Sequence, residues 1–220
     1  MGRPLRIAAS LSAFLLWGMV SAASAQPEPE DVRDGDLELP RRPDELPAAL
    51  SIEVHLAAVA SVASSALCPR GADCIFGSGG GVGGSLERRW PSGLALGLAY
   101  DAWFVESGGV WELGVLHVLS ARIRWALLQS RSVHPFAWLG VGALVFGDTL
   151  RIATVGAAGD VAVGLEVEVT ETIALSFALP FRVFTTAPFV TVRDRVPRAD
   201  QAGVNVGFAI QAGLVIVATP

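Results

Sequence analysis

The sequence predicts an all-β protein: an eight-stranded, antiparallel, up-and-down transmembrane β-barrel that follows a signal peptide and a disordered linker. Three observations carry this expectation. From Leu50 onward, apolar residues recur with a period of two, the signature of strands with one apolar face. The chain is 52% hydrophobic and only 17% charged, which is greasy for an exported water-soluble domain. Yet its apolar runs are cut every few residues by Gly, Asp, Glu or Arg, short of the ~20 residues that a membrane-spanning helix needs. A membrane barrel reconciles these facts, because its lipid face must be apolar while its inner face can be polar.

Residues 1–25 read as a targeting segment. Arg3 and Arg6 give a positive start, an apolar run from Ile7 to Val20 follows, and Ala23-Ser24-Ala25 supplies the small residues of a cleavage site after Ala25. No Cys lies near that junction, which argues against a lipid anchor. Residues 26–48 read as an acidic, Pro-rich linker. Gln26 to Pro47 holds eight acids and three Arg and has no apolar period, so it is expected to be a solvated, disordered spacer. The barrel is expected over 49–220.

The strands follow in order. The first, about 50–63, sets Leu50, Ile52, Val54 and Leu56 against Ser51, Glu53 and His55. The second, about 75–89, is Gly-rich, with Phe76, Val82 and Leu86 on its apolar side. The third, about 94–105, sets Leu94, Leu96, Leu98, Tyr100 and Phe104 against Ala95, Gly97, Ala99 and Asp101. The fourth, about 110–126, sets Trp111, Leu113, Val115, Leu119, Ile123 and Trp125 against Glu112, Gly114, Ser120, Arg122 and Arg124. The fifth is about 135–147. The clearest alternation runs from Gly159 to Val169, where Val161, Val163, Leu165, Val167 and Val169 oppose Asp160, Ala162, Gly164, Glu166 and Glu168. A helix would scatter those charges around its circumference, whereas a strand gathers them on one side. After Thr170-Glu171-Thr172 the pattern restarts, with Ile173, Leu175, Phe177, Leu179, Phe181 and Val183 opposite Ala174, Ser176, Ala178, Pro180 and Arg182. Pro180 cannot donate to the ladder, so a bulge is expected there. The eighth strand, about 203–217, sets Val204, Val206, Phe208, Ile210, Leu214 and Ile216 against Asn205, Gly207, Ala209, Gln211 and Gly213.

Short and long connections alternate, as outer-membrane barrels require. Trp90–Gly93, Gln129–His134 and Thr170–Thr172 would be periplasmic turns. The opposite end would hold a loop closed by a Cys68–Cys74 disulfide, Glu106–Gly109, Asp148–Val155 and the long Thr185–Ala202. An exported chain matures where disulfides persist, and no metal-ligand pattern surrounds these two Cys. Trp90, Trp111, Trp125 and Phe104 fall near strand ends, where aromatic girdles sit. Alternation alone leaves the barrel's sidedness open. The polar face is mostly Gly, Ala and Ser with scattered charges and no Lys, which is poor for a water-facing surface. It suits a narrow lumen that side chains fill. The apolar face is therefore expected outward, with a soluble lipocalin-like barrel that binds an apolar ligand as the alternative.

Two segments carry a resemblance. His134-Pro135-Phe136-Ala137-Trp138-Leu139-Gly140-Val141-Gly142 resembles the Pro-aromatic-x-x-x-Gly-x-Gly strand of the small bacterial outer-membrane β-barrel proteins, the OmpA/OmpX/OmpW-like barrel domains. Gly164-Leu165-Glu166-Val167-Glu168, followed by Thr170 to Leu175, is similar to that family's Gly-x-Glu hairpin. The resemblance implies an eight-stranded barrel located in the bacterial outer membrane and no activity. Such barrels end on an aromatic residue, whereas this chain ends Val217-Ala218-Thr219-Pro220.

The residues expected in the lumen are Glu53, His55, Asp101, Glu112, Arg122, Arg124, Asp160, Glu166, Glu168, Arg182 and Gln211. Isolated charges in a narrow interior are costly, so they should pair into a static plug; a gate or cation-preferring path is the functional alternative. All 16 basic residues are Arg, set against 21 acids for a net charge of −5, with no basic cluster, which argues against nucleic acid as a partner. No cofactor, metal site or catalytic set is expected. A lipid-modifying enzyme would need a Ser beside an acid-oriented His. The nearest pair, His117 and Ser120, should point to opposite faces, leaving His117 toward lipid. His55 beside Glu53 reads as a lumen pair. Gly77 to Gly84 lacks the Lys-Ser/Thr of a phosphate loop. The expected role is structural, adhesive or narrow-pore, as a monomer embedded in the bilayer, with surface partners meeting the long loops.

Overall fold

A β-strand that is apolar on alternate residues can bury its backbone polar groups in lipid only if the sheet closes on itself. The computed structural model, which describes residues 48–64, 66–127, 132–149, 151–200 and 203–218, is such a closed sheet. The expected signal segment with its cleavage site, the linker up to Pro47 and the first half of the Gln129–His134 turn lie outside the described residues.

Eight long antiparallel strands form the barrel: β1 (Ala49–Ser64), β2 (Gly79–Arg89), β3 (Leu94–Val105), β4 (Gly114–Ala126), β5 (Val133–Asp148), β6 (Arg151–Glu168), β7 (Ile173–Thr186) and β10 (Asn205–Ala218). Each pairs with its neighbour in sequence, and β10 pairs with β1 to close the ring. The minor strands β8 (Phe189–Val190) and β9 (Pro197–Arg198) form a small ribbon inside the long connection before β10. Among the described residues no helix is long and apolar enough to cross a membrane.

The predicted phase holds along the paired part of each long strand for which one is expected, β1 to β4, β6, β7 and β10. On β7, residues alternate without a break between exposed Ile173, Leu175, Phe177, Leu179, Phe181, Val183 and buried Ala174, Ser176, Ala178, Pro180, Arg182, Phe184. On β1, Leu50, Ile52, Val54 and Leu56 point out, while Ser51, Glu53 and His55 are buried. The outer wall is thus a band of large apolar side chains, far beyond the few hundred Å² that a monomeric soluble protein usually exposes. The lumen holds the charges.

Departures from expectation cluster at the rim opposite the barrel's termini, the distal rim. Strand β2 starts at Gly79 rather than 75, because Ile75 and Phe76 are both fully buried. Phe76 therefore lies inside, not on the lipid face. Strand β4 starts at Gly114, because Gly108 and Gly109 take positive φ and turn the chain. That turn leaves Glu112 exposed in a loop and seats Trp111 against Phe146 and Phe189, with ring centroids at 5.1 and 6.3 Å, rather than in an outer girdle. The expected loop from Asp148 to Val155 is a tight hairpin. Asp148 pairs with Arg151, and one extra residue, Ala153, is taken up as a bulge. Pro180 makes no bulge: β7 pairs with β6 through Ala162↔Pro180, and its pairing with β10 lapses between Phe208↔Phe181 and Gln211↔Ala178 without losing register.

The distal rim is closed by a cap. The loop after β1 carries the Cys68–Cys74 disulfide. The β8–β9 connection docks on it through Arg198, whose side chain is fully buried. Its Nη1 donates to the carbonyls of Leu67 (2.5 Å) and Asp73 (2.9 Å), each the residue just before a cysteine. Its Nη2 donates to Asp194 Oδ2 (2.6 Å). Beneath the cap, Leu67, Ile75, Phe76, Trp103, Leu116 and Phe146 pack with their neighbours into an apolar cluster that fills the distal lumen. Burying each such side chain contributes roughly 1.5–3 kcal/mol.

Asp194 makes the cap acid-sensitive. Partial burial raises its pKa, but hydrogen bonds from Thr191, the Val196 N–H and Arg198, with the Arg198 charge, outweigh it and hold the carboxyl below its usual range. A depressed pKa stabilises the folded form above the ordinary carboxylate pKa, and that contribution is lost as pH falls through the folded value. Protection of the amides of Leu67–Phe76 and Thr191–Arg198, relative to their intrinsic exchange rates at each pH, is expected to fall below about pH 4, whereas in Asp194→Asn it should be low at neutral pH already. Protection independent of pH in the wild type would contradict the assignment.

Candidate functional site: an ion-paired lumen

The strand phase delivers charged side chains from six strands into one narrow space, in two layers. In the layer nearer the termini, Arg124 on β4 is the hub. Its Nη1 lies 3.4 Å from Glu53 Oε2 and 3.6 Å from Glu87 Oε2, and its Nη2 contacts Glu166. Arg89 meets Glu166 in a fork, Nη1 to Oε1 at 2.7 Å and Nη2 to Oε2 at 3.0 Å, while its Nε donates to Ser51 Oγ at 2.8 Å. Ser176 donates to Glu53 Oε1 at 2.6 Å. The Arg124 guanidinium also lies 3.7 Å from the centre of the Phe136 ring. Forked and charge-assisted bonds of this kind are the strong class of hydrogen bond.

The middle layer is built around Asp101. One carboxylate oxygen meets His55 Nε2 at 2.8 Å, and the other accepts from Arg182 Nη2 at 2.6 Å. Arg122 Nη2 lies 3.7 Å from Asp101 and 3.8 Å from Asp160. Trp138 Nε1 donates to Asp160 Oδ2 at 2.7 Å. Arg122 stacks over Trp138 and Arg182 over Trp103, at 4.3 and 4.4 Å. The space for this layer comes from glycine. A Cβ on Gly83 would lie 2.5 Å from His55 Nε2, 2.6 Å from Asp101 Oδ1 and 2.6 Å from the Tyr100 carbonyl oxygen. Gly83→Val is therefore expected to break the His55–Asp101 pair and lower the unfolding temperature by several degrees, on the order of 2–4 °C per kcal/mol for a domain of this size. Gly80→Val, whose Cβ meets only the Ala57 carbonyl at 3.6 Å, is the control in the same melting measurement.

Eight of the eleven expected lumen residues meet here: Glu53, His55, Asp101, Arg122, Arg124, Asp160, Glu166 and Arg182. Gln211 is also buried in the lumen but makes no side-chain hydrogen bond among the described residues. Glu168 has the predicted phase but sits at the rim, half-exposed, with His134 Nε2 at 2.9 Å. Glu112 does not belong to the lumen at all. Glu87 and Arg89 were not anticipated, although Leu86 on the lipid face already places residues 87 and 89 inside. Trp138 is the same case, because Phe136, Trp138, Gly140 and Gly142 share one phase and that phase is the inner one.

Four Arg and five carboxylates share the lumen, and His55 is a further hydrogen-bond partner of Asp101. The arrangement is a lattice in which every charge has an opposite neighbour within 4 Å. Ser120 is buried on the inner face, while His117 lies on the outer face, where its Nδ1 meets Tyr100 Oη at 2.7 Å. Among the described residues no three His, Cys, Asp or Glu are placed to hold a metal ion.

No family model matches the chain, and no curated protein sequence matches it. Solved structures do. Neisserial surface protein A superposes with a TM-score of 0.54 at 13% identity, over 76% of this chain and 96% of that one. The outer membrane protein AlkL, determined by solid-state NMR in DMPC lipid bilayers, superposes with a TM-score of 0.50 at 11% identity, over 89% of this chain and 98% of that one. At these identities the likeness is one of architecture, and it agrees with the strand count, the closure and the outward apolar face: the chain has the fold of the small outer-membrane β-barrels.

Proposed function

We propose that the protein is an integral protein of the bacterial outer membrane and that its barrel is a closed, non-catalytic anchor for a rigid cap. The observation that carries this is the filling of the lumen: an ion-pair lattice over the terminal and middle thirds, and an apolar cluster under a pinned cap over the distal third. An ion crossing such a barrel would have to break buried pairs and then cross a dry apolar layer. The cap connections are longer than the turns at the terminal rim, which supports an outward-facing cap and a periplasmic rim beside the termini.

The test is twofold. The protein in its native host should fractionate with the outer membrane and shift in gel migration on boiling. Reconstituted into planar bilayers, it should show no unitary conductance steps. Stable steps that change with Arg124→Gln would replace the anchor with a pore, and a soluble protein without a heat shift would reverse the sidedness of the barrel.

A further inference from the structure

Toward the distal rim the outer wall departs from its apolar pattern on β4, β5 and β6. Across β4, β5 and β6 the ladders set His117 beside Val145, and Val115 beside Gly147 and Ile152. These residues, with Thr149 and Arg151, line a groove of about 220 Å³ on the outside of the barrel. Directly toward the cap lies a second hollow of about 550 Å³, to which Trp111, Glu112, Asp148, Val190 and Arg193 contribute. Arg151 and Ile152 line both, so a single cleft runs from the apolar wall up to the cap.

The chemistry of this cleft is graded. Its lower wall is apolar, and Ile152 is 69% exposed there. At its foot, Tyr100 and His117 form a stacked, hydrogen-bonded polar pair on the outer face of a strand wall that is largely apolar. The bond between them offsets part of the cost of two polar groups facing lipid. At its head, Arg151 and Arg193 are exposed and join no ion pair among the described residues, unlike the lumen Arg. Two acids also face the head: Asp148, which accepts from Thr149 Oγ1 (3.2 Å) and, weakly, the Leu113 N–H (3.5 Å), and the exposed Glu112. An occupant must therefore carry an anion for the two Arg, hydroxyl donors for the acids, and apolar chains for the wall below.

We infer that this cleft holds a phosphate-bearing lipid of the outer leaflet. Its phosphate sits at Arg151 with Arg193 alongside, its head hydroxyls face Glu112 and Asp148, and its acyl chains lie along Val115, Val145 and Ile152. Arg at the junction of an apolar wall and water is well suited to a lipid phosphate. The inference rests on the reading of the distal rim as the outer one, and it adds a ligand that neither the plug nor the cap requires.

The full protein, purified in a non-ionic detergent, is titrated with phosphatidylglycerol and with phosphatidylcholine, and bound lipid is counted by native mass spectrometry. Phosphatidylglycerol, which has both a phosphate and head hydroxyls, is expected to bind more tightly, and each Arg lost from the cleft should weaken it about fivefold. The double variant Arg151→Gln/Arg193→Gln should lose the preference, and Arg151→Lys should keep part of it. Arg88→Gln, on the outer face near the terminal rim, should leave it unchanged. Equal binding of the two lipids, an unaffected double variant, or an equal loss in Arg88→Gln would overturn the site. Gel migration on boiling separates the two failures: no lipid preference in a heat-shifting membrane protein removes this site alone, whereas a soluble protein with no shift removes the barrel's sidedness as well.

Discussion

Arg182→Ala is expected to destabilise the barrel by about 3–5 kcal/mol, the usual consequence of removing one partner from a buried ion pair. Arg182 is fully buried, and its Nη2 lies 2.6 Å from Asp101 and 3.7 Å from Asp160. Deleting it leaves two carboxylates in a narrow lumen with only Arg122 and His55 to compensate, and it strips the face of Trp103 of its cation. The measurement is the temperature at which the folded gel band converts to the unfolded one. Because the penalty comes from orphaned charge rather than lost packing, Arg182→Met should cost nearly as much, and adding Asp101→Asn to it should recover a substantial part. If Asp101→Asn recovers nothing, the lattice is not the source of the effect.

That lattice shows how far the sequence reaches. The strand phase from β1 to β10 was legible because a period of two is a local property, and each misplaced phase would put a carboxylate or an Arg into lipid. Hence Glu53, His55, Asp101, Arg122, Arg124, Asp160, Glu166 and Arg182 were placed together from pattern alone. Which of them touch was not legible, since the partners lie 21 residues (Arg122 and Asp101) to 81 residues (Arg182 and Asp101) apart in the chain and depend on barrel stagger. Arg88 and Arg89 illustrate the limit within one strand, for only the phase of Leu86 separates an exposed outer Arg from one forked onto Glu166. The distal rim resisted for a different reason. Phe76, Trp111 and Glu112 sit where the backbone leaves the ladder, and alternation carries no information once Gly108 and Gly109 turn the chain. The burial of Arg198 between two loop carbonyls was likewise hidden, because it is set by the docking of connections 125 to 131 residues apart and not by any local signal.

Val163→Arg tests the sidedness on which every functional reading depends. Val163 is 61% exposed on β6, flanked on the same face by Val161 and Leu165 and paired with Leu179 across β7. In water, an Arg at so exposed a position would be neutral or would improve solubility, because the side chain meets only solvent. In a bilayer it would cost about 2–4 kcal/mol near the midplane, falling toward zero at the interfaces. The substitution is expected to lower the yield of folded protein inserted into lipid vesicles, while Arg151, at the distal rim, is already tolerated by the same wall. Moving the Arg along β6, from Val163 to Val155, should relieve the penalty in steps, because both sites share the outward phase and differ in depth. A flat response across that series would mean that no apolar slab surrounds the barrel. A graded one would fix the depth of the bilayer on the strand, and with it whether Tyr100 and His117 lie at the level of lipid heads or of lipid chains.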